Sequence, residues 1–162
     1  MVLVKAIRSQ KMRNHNEVKL CIAFTEHCEI YFPRQPGILN WTHIANEGRS
    51  PQEGAKLKKM GVKAGWFDYP FVWFNGVRDR LAFLEAKWGK NDFSSSQKTF
   101  MAFMIPMGIP CEKFYSVEEA HHKLLGFGIK PIQPCQYFKE PNCMTWEDKM
   151  KVMQNMNKPP KL

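Results

Sequence analysis

Several common signatures are missing from this chain of 162 residues. No apolar run reaches the roughly 18 residues that a membrane-spanning helix needs. The sequence has no Gly-rich dinucleotide or P-loop pattern and no GxSxG nucleophile elbow. The segment from Met1 to Lys5 is too short for the apolar core of a signal peptide. We therefore expect one soluble, intracellular and cytoplasmic protein that does not use a membrane as partner.

Paired cysteine motifs are missing as well. The five cysteines share no CxxC spacing and are Cys21, Cys28, Cys111, Cys135 and Cys143. In a reducing compartment such cysteines are expected to be free and mostly buried thiols. The less favoured alternative is a zinc site from Cys135, Cys143 and a histidine, whose spacing does not match the usual ligand patterns. His121 and His122 cannot share a helix face, so we expect them at the surface or only partly packed.

Acidic residues are scarce, and the surplus of basic ones predicts a polyanionic partner. Lys and Arg number 24 against 15 Asp and Glu, which gives a net charge of +9 and a pI near 9.4. Nucleic acid is the first candidate and an acidic membrane surface the second. The basic residues that we expect to contact phosphate are Arg49, Lys56, Lys58, Lys59 and Lys63. For these lysines, a merely solvated helix face is the alternative.

The most informative stretch is 65–88. Aromatic and β-branched runs flank Asn75-Gly76, which predicts a β-hairpin with strands at about 66–74 and 80–88. Residues two apart on a strand share a face, so Glu85 and Lys87 should follow Leu81 and Phe83 on one side. If the hairpin places Asp68 beside Glu85, two carboxylates and an ammonium converge. Such a set suits Mg²⁺ or Mn²⁺ and a lysine that orients water, and the alternative is a salt bridge at the sheet edge.

The remaining elements are predicted from caps and breakers. Asn16 can cap a helix from Glu17. Its predicted apolar face is Val18, Cys21, Ile22 and Thr25, with Leu20, Ala23, Phe24 and His27 beside them. Residues 1–15 are a first strand or a loose arm, and 30–32 look extended. Capping boxes predict helices after Ser50 and Ser94, and a strand at 109–115 precedes a third helix from Ser116 to about 126. A terminal helix is predicted over about 145–155. Pro70 within a predicted strand indicates an edge or a bend. The order gives an α/β or α+β domain over 1–130, with a mixed central sheet flanked by helices, and an extension over 131–162.

About half of the chain, residues 46–130, resembles the VRR-NUC (virus-type replication-repair nuclease) family of the PD-(D/E)XK nuclease superfamily. The residues that carry the resemblance are Asn46-Glu47-Gly48-Arg49-Ser50, Glu53-Gly54-Ala55, Leu57, Met60-Gly61-Val62, Ala64-Gly65, Asp68, Phe83-Leu84-Glu85-Ala86-Lys87, Ser94, Gln97-Lys98 and Tyr115-Ser116-Val117-Glu118-Glu119-Ala120. Phe67 departs from the family, which usually has proline just before the aspartate.

The resemblance implies a restriction-endonuclease-like core and a metal site. Asp68 and Glu85 would bind Mg²⁺ or Mn²⁺ together with the backbone carbonyl of Ala86. Lys87 would position the attacking water, and Gln97 would join the active site. An early glutamate near the metal is also implied, for which Glu17 is the candidate and Glu26 the rival.

The function implied by the resemblance is a metal-dependent endonuclease that cuts branched DNA such as Holliday (four-way) junctions. A homodimer and a phage or viral protein acting in the host cell are implied with it. Two alternatives stay open from the residues alone. One is a nucleic-acid-binding module in which the acidic pair is a structural bridge, and the other is an interaction protein that uses Trp41, Trp66 and Trp73 as a partner surface.

Overall fold

A computed structural model describes residues 2–44 and 51–138, and the side chains of 15–44 and 52–138. Helices and strands alternate along it, except that the second and third strands follow one another directly. A 3₁₀ turn at Ile105–Met107 follows the third helix. The elements in chain order are α1 Val2–Tyr31, β1 Leu39–Trp41, α2 Pro51–Lys59, β2 Tyr69–Phe74, β3 Asp79–Ala86, α3 Ser95–Met104, β4 Cys111–Phe114 and α4 Val117–Gly126.

The four strands form one mixed sheet in the order β1-β2-β3-β4. β1 with β2 and β2 with β3 are antiparallel, whereas β3 and β4 are parallel. The predicted hairpin is confirmed as β2 and β3. Its turn holds because Asn75 Oδ1 accepts the N–H groups of Val77 and Arg78 at 3.1 and 3.0 Å, and Gly76 takes a φ of 92°. The expected α/β architecture with a mixed sheet between helices is therefore confirmed.

Alternate residues of β3 point into two different apolar layers. Ala82 and Leu84 belong to the larger core, which α1 and α4 complete with residues such as Phe24 and Leu124. Phe83 belongs to a second core with Phe67 and Cys111, which α3 covers. Because the side-chain period of a strand is two, Glu85 follows Phe83 onto the α3 side of the sheet, as the sequence predicts.

Helix α1 differs most from expectation. It already begins at Val2, so residues 2–15 are neither a strand nor a loose arm, and Asn16 is inside the helix rather than at its cap. The extended conformation predicted for 30–32 is wrong as well, because α1 runs to Tyr31 and Phe32 N still donates to Cys28 O at 2.8 Å. No proline interrupts the chain before Pro33.

The apolar face of α1 is also not the predicted one. Val18 and Ile22 are each 54% exposed. The buried apolar residues instead follow a helical repeat of four and three, and are Leu20, Phe24, Cys28 and Tyr31, with His27 buried beside them. Both candidate faces are apolar at helical spacing, and the packing of α4 and the sheet against one of them decides which face is buried.

His121 is a further correction, because it is buried with 1% of its surface exposed, whereas His122 is half-buried. His121 Nδ1 lies 2.9 Å from His27 Nε2, so the two rings share a hydrogen bond between α4 and α1. Two causes lower the pKa of His27 to about 4: burial is the larger, and the nearby His121 is the smaller. Burial likewise lowers the pKa of His121. Both rings are therefore neutral at pH 7.

Pro70 does not mark an edge strand, since β2 lies between β1 and β3. The pairing of β1 with β2 stops at Trp41 opposite Phe71, so it does not reach Pro70, which directly precedes Phe71 in the chain. Phe83 N, opposite Pro70, donates to Pro110 O on the β4 side, so that pair makes no bond across β2 and β3. The missing N–H of Pro70 therefore costs no ladder hydrogen bond.

The other predicted elements agree with the structure where it describes them. α2 ends at Lys59, and Gly61 closes it with a φ of 88°. The α3 capping box of Ser94 and Gln97, strand β4 and helix α4 with Ser116 as cap are confirmed. The cap at Ser50 and the helix predicted over 145–155 lie outside the described residues. Residues 131–138 pack at the end of α1, where Ile132 N donates to Tyr31 O at 2.9 Å.

At Gly65, the loop before β2 packs closely against the backbone at the start of α3. Its φ is +98°, and a Cβ there would lie 2.3 Å from the carbonyl oxygen of Ser96. We expect Gly65→Ala to lower the free energy of unfolding by on the order of 2–4 kcal/mol, because left-handed backbone strain and a steric clash add. Urea unfolding measures this change.

Gly54→Ala is the matched control for this substitution. Gly54 lies in α2 with nothing within 4 Å of its Cβ position. Alanine is the better helix former by up to about 1 kcal/mol, so the control should be neutral or more stable. Equal unfolding midpoints for the two variants would contradict the close approach of Gly65 to α3.

Candidate active site

Asp68 and Glu85 meet where β2 begins and β3 ends. Asp68 N donates to Glu85 Oε2 at 3.1 Å, and Ala86 N donates to Asp68 Oδ2 at 3.1 Å. Each carboxylate therefore accepts a backbone N–H from the strand region that carries the other. The antiparallel register, with Tyr69 opposite Leu84, produces this exchange. The predicted convergence of the two carboxylates is present.

Lys87 is the cation of the cluster. Its Nζ donates to Glu85 Oε1 at 2.8 Å, and both side chains are almost completely buried. The contact follows from the strand period, because residues 85 and 87 lie on the same side of the sheet. The backbone of Lys87 is held as well, since its N–H donates to Phe114 O at 2.9 Å. A lysine at this depth needs a counter-charge, which Glu85 provides.

Gln97 joins the site from the first turn of α3. Its Nε2 donates to the same oxygen, Glu85 Oε1, at 2.5 Å, while its Oε1 accepts Ser94 N at 2.9 Å. Gln97 N donates to Ser94 Oγ at 3.2 Å, which completes the capping box. The cap and the site contact therefore use different atoms of one buried side chain. The two interpretations of Gln97 hold together.

The charges of the cluster are not balanced. Burial raises the pKa of Asp68 well above the usual range of a carboxyl group, and the neighbouring Glu85 raises it further. The Ala86 N–H and the Lys87 ammonium oppose this shift without cancelling it. A single lysine thus faces two carboxylates in a site with little water. Such a site attracts further positive charge.

Glu17, rather than Glu26, is the early glutamate near this pair. The charge of Glu17 acts on Asp68 and also on Cys21, one turn further along α1. Glu26 is exposed, and nine residues at about 100° each place it on the opposite side of the helix. The sequence left both open, because the face of α1 that meets the sheet is set by tertiary packing.

His43 is a neighbour of the site that sequence reasoning did not select. Its ring stacks on Tyr69 with centroids 4.8 Å apart and 27° between the planes. Burial lowers the pKa of His43, while the charge of Glu85 acts in the opposite direction. The residue comes from the short segment after β1, whose position no local motif reveals. Only the pairing of β1 with β2 brings it to Tyr69.

The basic residues predicted to contact phosphate lie mainly on α2. Lys56, Lys58 and Lys59 on the helix and Lys63 after it are all exposed. Within residues 52–59 only Leu57 is half-buried, so α2 presents its charges to solvent on nearly every side. Exposure agrees both with phosphate contacts and with a solvated helix face. Arg49 lies outside the described residues.

The donor set fits a hard divalent cation. Asp68 Oδ2 and Glu85 Oε2 each accept one backbone N–H, which leaves carboxylate lone pairs for an ion. Mg²⁺ and Mn²⁺ prefer oxygen ligands, and Mg²⁺ is commonly held by one or two carboxylates with substrate phosphate and water. The excess negative charge around Asp68 favours the same occupant. Asp68, Glu85 and the carbonyl of Ala86 are the residues that could hold it.

No protein-family model matches the chain, and no curated protein or solved structure matches it significantly. The resemblance to the VRR-NUC family therefore stays a prediction that rests on the residues quoted above. Among the described helices, none has the length and apolar character that a membrane span requires.

Removing one carboxylate should stabilise the metal-free protein. A raised pKa means that the folded state holds the Asp68 proton more tightly than the unfolded chain, so stability falls as pH rises through the range between the two values. Asp68→Asn removes this effect and keeps an acceptor for Ala86 N. We expect its Tm at pH 8 in EDTA to exceed that of the wild type by at least about 2–4 °C, which corresponds to roughly 1 kcal/mol. The gain should vanish near pH 4.

Asp92→Asn is the control of opposite sign. Asp92 accepts Lys113 Nζ at 2.6 Å, and this bond holds the pKa of Asp92 below its usual range. Loss of that carboxylate should not stabilise the protein at pH 8. A lower Tm for Asp68→Asn than for the wild type at pH 8 would show that the Asp68 charge is well compensated without metal.

Proposed function

We propose that the protein is a metal-dependent DNA endonuclease that hydrolyses phosphodiester bonds. The observation that carries the proposal is the buried cluster in which Glu85 accepts hydrogen bonds from Lys87, Gln97 and the backbone of Asp68. Two carboxylates and an ammonium on one hairpin are groups that metal-assisted phosphodiester hydrolysis can use. The mixed sheet between helices is compatible with the PD-(D/E)XK core that the resemblance implies.

Asp68, Glu85 and the Ala86 carbonyl would hold Mg²⁺ or Mn²⁺. When bound, such an ion supplies a Lewis acid for the scissile phosphate and lowers the pKa of a coordinated water. The protein's own contribution is to hold these oxygen atoms in place. Gln97 and Lys87 bind the same oxygen of Glu85 and thereby fix its rotamer, and the N–H groups of Asp68 and Ala86 tie the carboxylates to the hairpin backbone.

Lys87 is the residue that we expect to contact the attacking water and the scissile phosphate. Its ammonium carries three donors, and Glu85 Oε1 takes one of them. The others can orient the attacking water and stabilise the negative charge that develops on the phosphate. A buried ammonium is effective in this role because the low dielectric of its surroundings strengthens its electrostatic interactions. Glu17 adds negative charge beside Asp68.

The basic surface supports DNA as the substrate. The net charge is +9, and the exposed lysines of α2 precede Asp68 in the chain by about ten residues. Backbone contacts through Lys56, Lys58, Lys59 and Lys63 would make binding fall steeply with salt. We further propose that the enzyme prefers branched DNA, acts as a homodimer and belongs to a phage or virus. These three points are supported by the resemblance alone.

A nucleic-acid-binding module without catalysis is the second candidate. The observation that favours it is the Lys87–Glu85 ion pair at 2.8 Å, because a structural bridge would have this geometry. Metal binding separates the two candidates. Mn²⁺ should raise the Tm of the wild type and leave that of Asp68→Asn unchanged if the carboxylates form a metal site, whereas a binding module shows no difference between them.

Cleavage of a labelled four-way junction tests the proposed activity directly. Linear duplex and single-stranded DNA of the same sequence run beside it, each with Mg²⁺, Mn²⁺ or EDTA. We expect cutting only with metal, strongest on the junction, and none with Glu85→Ala. Equal cutting of junction and duplex would remove branch selectivity but keep the nuclease. Cutting by Glu85→Ala would place the active site elsewhere, and salt-sensitive binding without cutting would favour the binding module.

Lys87→Met tests the role of the lysine in the chemical step. We expect the single-turnover cleavage rate at saturating protein to fall by about 10²-fold or more, because a charge-stabilising donor is lost. DNA affinity should stay close to that of the wild type, since Lys87 is buried. The matched control is Lys90→Met, which removes an exposed lysine three residues away. Equal rates for the two variants would contradict the assignment, and circular dichroism confirms that both fold.

A further inference from the structure

Three side chains with metal-binding atoms meet on the opposite side of the sheet from the Lys87–Gln97 cluster. His27 of α1, His121 of α4 and Cys135 after α4 each bring one donor atom within 4.8 Å of the other two. Among the described residues, no other three His, Cys, Asp or Glu side chains meet in this way. We propose that His27, His121 and Cys135 supply three ligands of a structural zinc site, with water in the fourth position, which goes beyond the proposed nuclease function.

The three residues form a largely buried cluster rather than a cluster at the surface. His27 and His121 are 8% and 1% exposed, and Cys135 is half-buried. The ring of Phe138 packs on both histidines with centroids 5.5 Å away from each. The two imidazoles come from helices that are 94 residues apart in sequence, and their nearest nitrogen atoms are 2.9 Å apart. The pair is thus held by the fold and not by a local motif.

The separations are close to what tetrahedral zinc needs. Zn–N bonds of about 2.0–2.1 Å and a Zn–S bond of about 2.3 Å place ligand atoms roughly 3.3–3.6 Å apart. The nitrogen atoms at 2.9 Å would move apart by a few tenths of an ångström, and the donors, which all lie within 4.8 Å of one another, would close any longer separation by up to about 1.2 Å. Metal binding replaces one hydrogen bond by two metal–nitrogen bonds. The proton of that hydrogen bond moves to the outer nitrogen of its own ring, and the Cys135 thiol proton goes to solvent.

The ligand types select the metal. Two imidazoles and a thiolate are borderline and soft donors, which favour Zn²⁺ over the hard ions Mg²⁺ and Mn²⁺. The acidic site has the opposite preference, because its donors are oxygen atoms. His27 lies ten residues beyond Glu17 on α1, which is about 15 Å along the helix axis. The two sites are therefore separate in both position and chemistry.

A metal here would connect three parts of the chain. Without it, the described contacts that hold 131–138 to the body include the Ile132–Tyr31 hydrogen bond and the packing of Phe138. A bond from the metal to Cys135 would add a covalent-strength tie between this segment, α1 and α4. Zinc sites of this kind stabilise small domains because the unfolded chain does not hold the ligands together.

The experiment uses the full chain with any affinity tag removed. Metal is stripped with EDTA, one equivalent of Zn²⁺ is added, and bound zinc is measured after gel filtration. We expect one zinc per chain and a higher Tm, also in Asp68→Asn, whose acidic site is disabled. Co²⁺ in place of zinc should give the intense near-ultraviolet band of a thiolate ligand together with the visible bands of tetrahedral cobalt. Absence of bound zinc in the wild type would overturn the proposal.

Variants show which residues hold the metal. Cys135→Ser and His121→Gln should each weaken zinc binding by more than about tenfold, and Cys135→Ser should also abolish the thiolate band. His122→Gln is the matched control, because this histidine is adjacent in sequence but is not part of the trio. Cys135 is only half-buried, so its variant tests the proposal even if His121→Gln does not fold. Wild-type zinc affinity in Cys135→Ser, or equal loss in His122→Gln, would overturn it.

Discussion

The buried carboxylate of Glu85 is the constraint on which the candidate site depends. A charge that is removed from water must be compensated by donors, and the three donors of Glu85 come from the next residue but one, from α3 and from the residue before β2. Each donor depends on a different feature of the fold. Lys87 depends on the strand period, Gln97 on the position of a helix start, and the Asp68 N–H on the hairpin register. A slip of the hairpin by one residue would turn Glu85 to the other face and break its bonds to Gln97 and to the backbone of Asp68, whereas Lys87 would turn with it.

Gly65 and the capping box couple the position of the α3 start to the position of the hairpin. Gly65 allows the loop before Asp68 to touch the backbone of Ser96, one residue before Gln97. The same loop therefore positions both the aspartate and the amide that binds Glu85. The Ser94 cap turns Gln97 back toward the helix start, which directs its Nε2 to the carboxylate. The capping box, a local signal for a helix start, is therefore also part of the candidate site, whose residues Asp68 to Gln97 span 30 positions of the chain.

The features that the sequence predicted correctly are those set by local chemistry. Asn75-Gly76, the strand period that aligns Glu85 with Lys87, and the caps at Ser94 and Ser116 all act within a few residues. The convergence of Asp68 with Glu85 followed because the hairpin register links them directly. Side-chain type and spacing were sufficient for this part of the fold and of the candidate site.

The features that were missed are decided by distant partners. Val18 and Ile22 have the spacing of a buried face, yet Leu20 and Phe24 are buried because α4 and the sheet pack on their side of α1. The sequence indicates only that His121 cannot share a helix face with His122. Its partner is His27, 94 residues away, and no local pattern indicates that pairing. His43 was missed for the same reason, since only strand pairing brings it to Tyr69.

Helix α1 connects the two candidate sites mechanically. Glu17 acts on the acidic pair, His27 belongs to the histidine–cysteine trio, and between them Tyr69 fixes the helix against β2 by donating to Cys21 O at 2.9 Å. Tyr69 directly follows Asp68, so this contact links the register of α1 to the position of Asp68. A metal at the trio would hold the far end of the same helix against α4. It would therefore restrict how far Glu17 can move from Asp68, through a packed helix and without any contact to the acidic site.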